Sequence, residues 1–263
     1  MSAASGPIDK WYPERRFGGF THVDGTVAFY TRVNSLLEPT SVVLDLGCGR
    51  GAAIEDPIPW RRELQIFQGK CARVLGADLD PAASSNPNID EFHLIEAGRI
   101  PLANECIDVC VADFVVEHVE DVNLFFSESA RVLKPRGYLC IRTPNVWSYM
   151  GVASRLVPTR LHSRALRRLQ ADRKEDDIFP TVYRCNSVRK LRYALTRHGF
   201  EAVVQTQEPE PAYLSFSRFL YALGVFHQRH APRPFRRMLL AYARKGTTGG
   251  ASLLGSEPPP LGT

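Results

Sequence analysis

Ser41-Val-Val-Leu-Asp-Leu-Gly-Cys-Gly-Arg-Gly51 is the stretch on which the reading of this chain turns. Its first six residues form a short, largely β-branched apolar run, the pattern of a strand buried on both faces of a parallel sheet. The run then breaks into glycines at alternate positions, which let a backbone turn tightly and approach a ligand without side-chain interference. Gly47, Gly49 and Ala52 also fit the loose G-x-G-x-x-G/A dinucleotide fingerprint, so the glycines alone are compatible with NAD, FAD or a plain tight turn. Asp45 narrows that choice. It stands two residues before the first glycine, where a dinucleotide site presents an apolar strand end to a pyrophosphate. A carboxylate there repels phosphate and suits a zwitterionic ligand that carries an ammonium group.

Working outward, Val74-Leu-Gly-Ala-Asp78 ends a second strand with an acid placed to accept hydrogen bonds from the hydroxyls of a ribose. Further strand-like runs lie at Ala72–Ala77, Glu91–Ile95, Ile107–Ala112 and Tyr138–Arg142, with a helical pattern at Asp121–Leu133. Strands alternating with helices predict an α/β fold: a mainly parallel sheet flanked by helices, with ligands at the carboxyl ends of its strands. Residues 1–40 are expected to be an N-terminal helical cover, with one helix over Thr26–Leu37 at the ligand's edge. Past Asn145 the strand pattern stops, and Arg-rich helical sequence replaces it. The segment 146–187 is therefore predicted to be a helical lid insertion within a domain spanning 41–245. A helix over Val188–His198, a strand over Phe200–Thr206 and a returning strand over Ala212–Ser217 complete the prediction. The Gly, Ser and Pro-rich end, 246–263, is expected to be a disordered tail.

The chain has 263 residues, 44% hydrophobic and 23% charged, as expected of a soluble globular protein. A net charge of +5 is too mild for a nucleic-acid signature, and nucleic acid is not favoured as a partner. The basic residues concentrate between Arg155 and Arg173 and between Arg229 and Lys245. Apolar and basic residues also alternate from Tyr213 to Arg244. That pattern fits either a terminal helix packed on the sheet with snorkelling arginines or an interfacial helix in peripheral contact with an anionic membrane. Neither a signal-peptide core nor an apolar run of membrane-spanning length is visible. Six cysteines without a C-x-x-C pair suit a reducing compartment, and the cytoplasm is the expected location.

Taken with three further blocks, the glycine loop and the second strand resemble the class I S-adenosylmethionine-dependent methyltransferases, of the methyltransferase type 11-like subgroup. Those blocks are Glu96-Ala-Gly-Arg-Ile-Pro-Leu102, Ile107-Asp-Val-Cys-Val111 followed by Glu117-His118, and Arg131-Val-Leu-Lys-Pro-Arg-Gly-Tyr-Leu139. The resemblance implies a Rossmann-like, seven-stranded sheet and S-adenosyl-L-methionine as cofactor. It also implies that Gly47, Gly49 and Gly51 wrap the methionine moiety, with Asp45 beside them. Asp78, next to Leu79, would hold the ribose, Glu96 and Ala97 would flank adenine, and Asp113 would approach the methionine portion through its main chain. The sequence departs from the family in two places: Arg136 replaces the first glycine of the usual L-K-P-G-G turn, and Glu96 replaces an aspartate.

A narrower resemblance, to ubiquinone-pathway O-methyltransferases, rests on Glu117-His118 and on Val157-Pro-Thr-Arg-Leu-His162. It makes Glu117, His118 and His162 the candidate catalytic group, with His118 as base; the bland alternative has His118 capping a helix or packing under the lid. Small-RNA 2′-O-methyltransferases use a related cluster for a divalent metal. Their additional glutamate is replaced here by Phe114, so a metal is not favoured. Tyr183 and Arg184, in the segment Asp176–Asn186, are the candidate substrate contacts; the alternative is a plain loop that anchors Phe179 and Tyr183 in the core. The expected activity is O-methylation of a small hydroxylated acceptor, a lipid, glycan or natural product, with transfer to nitrogen or carbon left open. RNA methylation through the basic lid and a noncatalytic partner module are the competing readings, and the intact glycine loop with Asp78 speaks against the last. Asp108, at a strand start, is read as a turn or cap acid, and Arg50 as solvent-facing.

Overall fold

A computed structural model describes residues 7–149 and 181–247. Seven strands form one sheet: β1 (Val42–Leu46), β2 (Arg73–Asp78), β3 (Glu91–Leu94), β4 (Ile107–Asp113), β5 (Leu133–Pro144), β6 (Phe200–Gln207) and β7 (Met238–Lys245). Their order is β3-β2-β1-β4-β5-β7-β6, with β7 antiparallel to both neighbours and the other pairs parallel. The strand order reverses at β1, where β2 lies on one side and β4 on the other. That is the topological switch point at which open α/β sheets bind ligands.

Alternation along the strands builds two cores. Leu44, Leu75, Cys110, Leu139 and Leu239 point to one face and are covered by α4 (Val122–Val132) and α5 (Val188–Arg197), through Phe126, Leu191 and Leu195. Val43, Val74, Val109, Cys140 and Leu240 point to the other, covered by α2 (Gly25–Asn34) and α3 (Pro59–Gln65), through Phe29, Val33 and Leu64. The helix predicted at Thr26–Leu37 is thus α2, joined to the sheet face as well as standing near its ligand end. Its start is fixed by Asp24, whose carboxylate accepts from Thr26 N (2.8 Å) and Val27 N (3.0 Å). A third, small cluster joins α1 (Pro7–Trp11) and the following Tyr12 to α6 (Arg218–His230) through Tyr221 and Val225.

The C-terminal region differs from expectation. Ala212–Leu214 is a short 3-10 turn rather than a returning strand, and Met238–Lys245 is strand β7 rather than the end of a helix. The sheet's seventh member therefore comes from the basic, apolar stretch and inserts between β5 and β6.

The insertion predicted at 146–187 leaves and returns at adjacent points, since Val146 N donates to Asn186 O (2.8 Å). Its middle, including His162, lies outside the described residues, as does the tail from residue 248. Asp108 caps the sheet as read, accepting from Val42 N (2.8 Å) and pairing with Lys134 (2.8 Å). Arg50 is not simply solvent-facing, because it pairs with Asp80 at 3.1 Å. All six cysteines are free thiols.

Candidate cofactor and acceptor site

The glycine loop leaves β1 with three left-handed residues: Gly47 (φ +74°), Gly49 (φ +51°) and Gly51 (φ +83°). Their surroundings differ. A Cβ on Gly47 would meet Val115 at 2.4 Å, and one on Gly51 would meet the Asn86 side chain at 2.4 Å, so both are closed in by protein. Nothing lies within 4 Å of the same position on Gly49. Gly49 thus offers bare backbone to open space, the condition for close approach by a ligand. The loop's shape is fixed by two buried asparagines that the sequence reading missed. Asn86 Nδ2 donates to Cys48 O (2.9 Å), and Asn88 Nδ2 donates to Gly51 O (3.1 Å). The only sequence signal for them is their place in Asn86-Pro-Asn88, a turn-forming triplet.

Asp78 ends β2 across from the loop. Its carboxylate accepts from Gly49 N and Asp80 N, both at 2.9 Å, which fixes its orientation and leaves lone pairs over. The carboxylate of Asp45, half-buried at the end of β1, receives no hydrogen bond among the described residues. Burial, with the nearby carboxylates of Asp113 and Asp78, pushes its pKa up to about 7. A carboxyl raised in this way, near two other acids, calls for a cationic partner. The arrangement fits a zwitterionic ligand with an ammonium group and a ribose, and it fits a phosphate poorly.

Leu79 follows Asp78 and is 62% exposed, a bare apolar surface beside the site. Glu96 and Ala97 lie just past β3, which Ile95 N ties to Asp78 O (2.8 Å). Ala97 has φ +50°, a strained value for a residue with a side chain. Asp113 is present, but its side chain is fully engaged. Arg142 grips it through Nε (2.6 Å) and a terminal nitrogen (2.5 Å), and the Tyr30 hydroxyl donates to it at 2.9 Å. Arg142 also donates to Thr26 (2.9 Å) and lies over the rings of Phe29, Tyr30 and Phe114. The Asp113 side chain is thus committed mainly to groups within the protein. Arg142 was missed at the sequence level, although a charge inside the run Cys140-Ile141-Arg142-Thr143 demands a buried partner. The β4–β5 register supplies it by setting Asp113 opposite Arg142.

Glu117 and His118 sit on a 3-10 turn, Val116–His118, immediately beyond β4. Glu117 is buried, and its carboxylate accepts from Thr143 Oγ1 (2.8 Å), which in turn accepts from Asn186 Nδ2 (2.6 Å). The Glu117 carbonyl accepts from Val182 N (2.8 Å) and Tyr183 N (3.1 Å). Glu117 therefore pins the returning stem of the insertion, bringing Tyr183 next to the turn that carries His118. His118 is half-buried, Tyr183 has φ +49°, and Arg184 is exposed. Among the described residues, no three His, Cys, Asp or Glu side chains converge as a metal site.

The fold is one shared by a solved S-adenosylmethionine-dependent methyltransferase from Mesorhizobium loti, and residues 44–141 match the family described as "Methyltransferase domain". Over 157 residues, 54% of the chain, the sequence is 32% identical to a ubiquinone biosynthesis O-methyltransferase of Bartonella tribocorum, covering 62% of that protein. It is 29% identical over 167 residues, 62% of the chain, to a malonyl-acyl-carrier-protein O-methyltransferase of Methylovorus, covering 51% of it. The chain thus spans less than two thirds of the length of either relative. A geranyl diphosphate C-methyltransferase from Streptomyces coelicolor, solved with S-adenosyl-L-homocysteine, shares the fold. Its TM-score is 0.51 at 15% identity, over 83% of this chain and 74% of that one.

Proposed function

We propose that this protein transfers a methyl group from S-adenosylmethionine to a hydroxyl of a small acceptor: a lipid, glycan or natural product. The observation that carries the reading is the convergence of Asp45, Asp78 and the open face of Gly49 at the switch point of the sheet. The cofactor supplies a sulfonium-bound methyl group already activated for displacement. What remains for the protein is alignment, exclusion of water and, for a hydroxyl acceptor, removal of a proton.

Asp45 binds the ammonium group, and Asp78, held by two backbone donors, accepts from the ribose diol. The loop from Gly47 to Gly51 and the main chain of Asp113 follow the methionine portion, while Leu79, Glu96 and Ala97 border the nucleoside. His118 takes the proton of the acceptor hydroxyl. Glu117 is a positioning residue, since its carboxylate and carbonyl hold Thr143 and the 182–183 stem around His118. Tyr183 and Arg184 border the acceptor, and His162 would join them from the insertion. Oxygen is preferred as the methyl acceptor because the Bartonella and Methylovorus relatives are named O-methyltransferases. No divalent metal enters this reading, and the cytoplasm is its compartment.

The test is to incubate the purified protein with methyl-labelled cofactor and fractionated cell extract. Label is expected in a small-molecule or lipid fraction. His118→Ala should lower turnover by ~10²–10⁴ with little change in S-adenosylhomocysteine affinity, and EDTA should leave the rate unchanged. Label in RNA, or full activity in His118→Ala, would overturn the assignment.

A further inference from the structure

We infer that the outer face of α6 is a seat for an anionic lipid surface. Phe216, Phe219, Leu220, Leu223 and Phe226 recur at helical spacing on or just before α6. Their exposures include 67% for Phe216, 77% for Phe219, 57% for Leu223 and 62% for Phe226. The opposite face of the helix is spoken for, with Tyr221 and Val225 buried against Tyr12 and Gly224 closed in by Pro211. The outward stripe is therefore a surplus over what the fold needs, and contiguous exposed apolar surface of this kind marks an interaction site. Under Leu223 and Phe226 it opens into a groove of about 400 Å³, lined also by Tyr149, Leu214 and Ala231, an apolar hollow of a kind that takes a hydrocarbon chain.

Charge selects the occupant. From Ala212 to Lys245 the sequence contains no Asp or Glu, while Arg218, Arg229 and Arg233 are exposed on or beside α6. A second copy of the chain is disfavoured, because a two-fold dimer through this face would set the same arginines against each other. An apolar stripe flanked by exposed arginines, in a stretch of chain that itself carries no acid, matches the interface of an anionic bilayer, where apolar burial and attraction to headgroups add. The placement also suits this. β6 runs parallel to β5 and ends level with it, as Gln207 and Pro144 both pair with Met238. α6 thus follows from the carboxyl end of the sheet, the end that carries the glycine loop. A bilayer seated on α6 lies at the side from which an acceptor enters.

The test is co-sedimentation of the full chain, without cofactor, with phosphatidylcholine vesicles containing about a third phosphatidylserine, against pure phosphatidylcholine. Binding is expected to the anionic vesicles and to be about tenfold or more weaker to neutral ones. Phe219→Glu with Leu223→Glu should abolish it, and Arg218→Gln with Arg229→Gln should remove the anionic preference. Circular dichroism and the melting temperature of each variant check its fold, and Phe219→Ser with Leu223→Ser is the uncharged control, which should also weaken binding. Equal binding to both vesicle types, no binding, or a dimer that Phe219→Glu dissolves would each overturn the inference. Since no cofactor is present, such a result leaves the proposed methyl transfer untouched.

Discussion

The acids of the site are not interchangeable, and their partners decide what each does. Asp113 is consumed by Arg142 and Tyr30, Asp78 is held by two amides, and Asp45 is left to wait for a cation. Because its pKa is raised to about 7, Asp45 keeps a proton in the folded state between about pH 4 and 7 that the unfolded chain has released. Its contribution to stability is thus favourable at low pH and is lost as pH rises through 7. An ammonium group placed against it reverses the preference, so binding expels the proton. Affinity for S-adenosylhomocysteine should therefore rise between about pH 6 and 7.5, by up to about tenfold per unit, and level off above. Calorimetry in two buffers of different ionisation enthalpy should detect the released proton, and Asp45→Asn should flatten the profile. A flat wild-type profile would remove Asp45 from the ammonium site.

At the level of elements, the chain keeps its geometry even where it departs from the usual residue. Arg136, at the β5 turn, has φ +67°, the left-handed conformation in which a glycine is unstrained. A residue with a Cβ loses roughly 1–2 kcal/mol there, part of which a glycine returns through the entropy of the unfolded chain. Arg136 is exposed, so its side chain offers little compensation. Arg136→Gly is expected to stabilise the protein by about 0.5–1 kcal/mol, read as a higher urea midpoint at unchanged slope. Destabilisation would mean that the guanidinium makes a contact worth more than the strain.

For the whole molecule, the site joins three layers: α2 from one face, the sheet, and the turn beyond β4 with the stem of the insertion. A ligand bound there stabilises all of them together. S-adenosylhomocysteine at about a hundred times its dissociation constant should add about 2.7 kcal/mol and raise the melting temperature, whereas NAD should not. Asp78→Ala should weaken that binding by about 1.5–3 kcal/mol, and an undiminished shift would sink the ribose assignment. The sequence by itself determined the glycine loop, the acids at the ends of β1 and β2, and the strands through β5, because backbone conformation and two-sided burial leave local patterns. It was silent on Asn86, Asn88 and Arg142, whose roles depend on which distant groups the fold sets beside them. It misread Met238–Lys245 for a related reason. Met, Leu, Ala, Arg and Lys are good helix formers, and of those eight residues Tyr242 alone prefers a strand. Only the tertiary structure decides the matter: the open edges of β5 and β6 hydrogen-bond both sides of that segment at once, and the two cores bury both its faces.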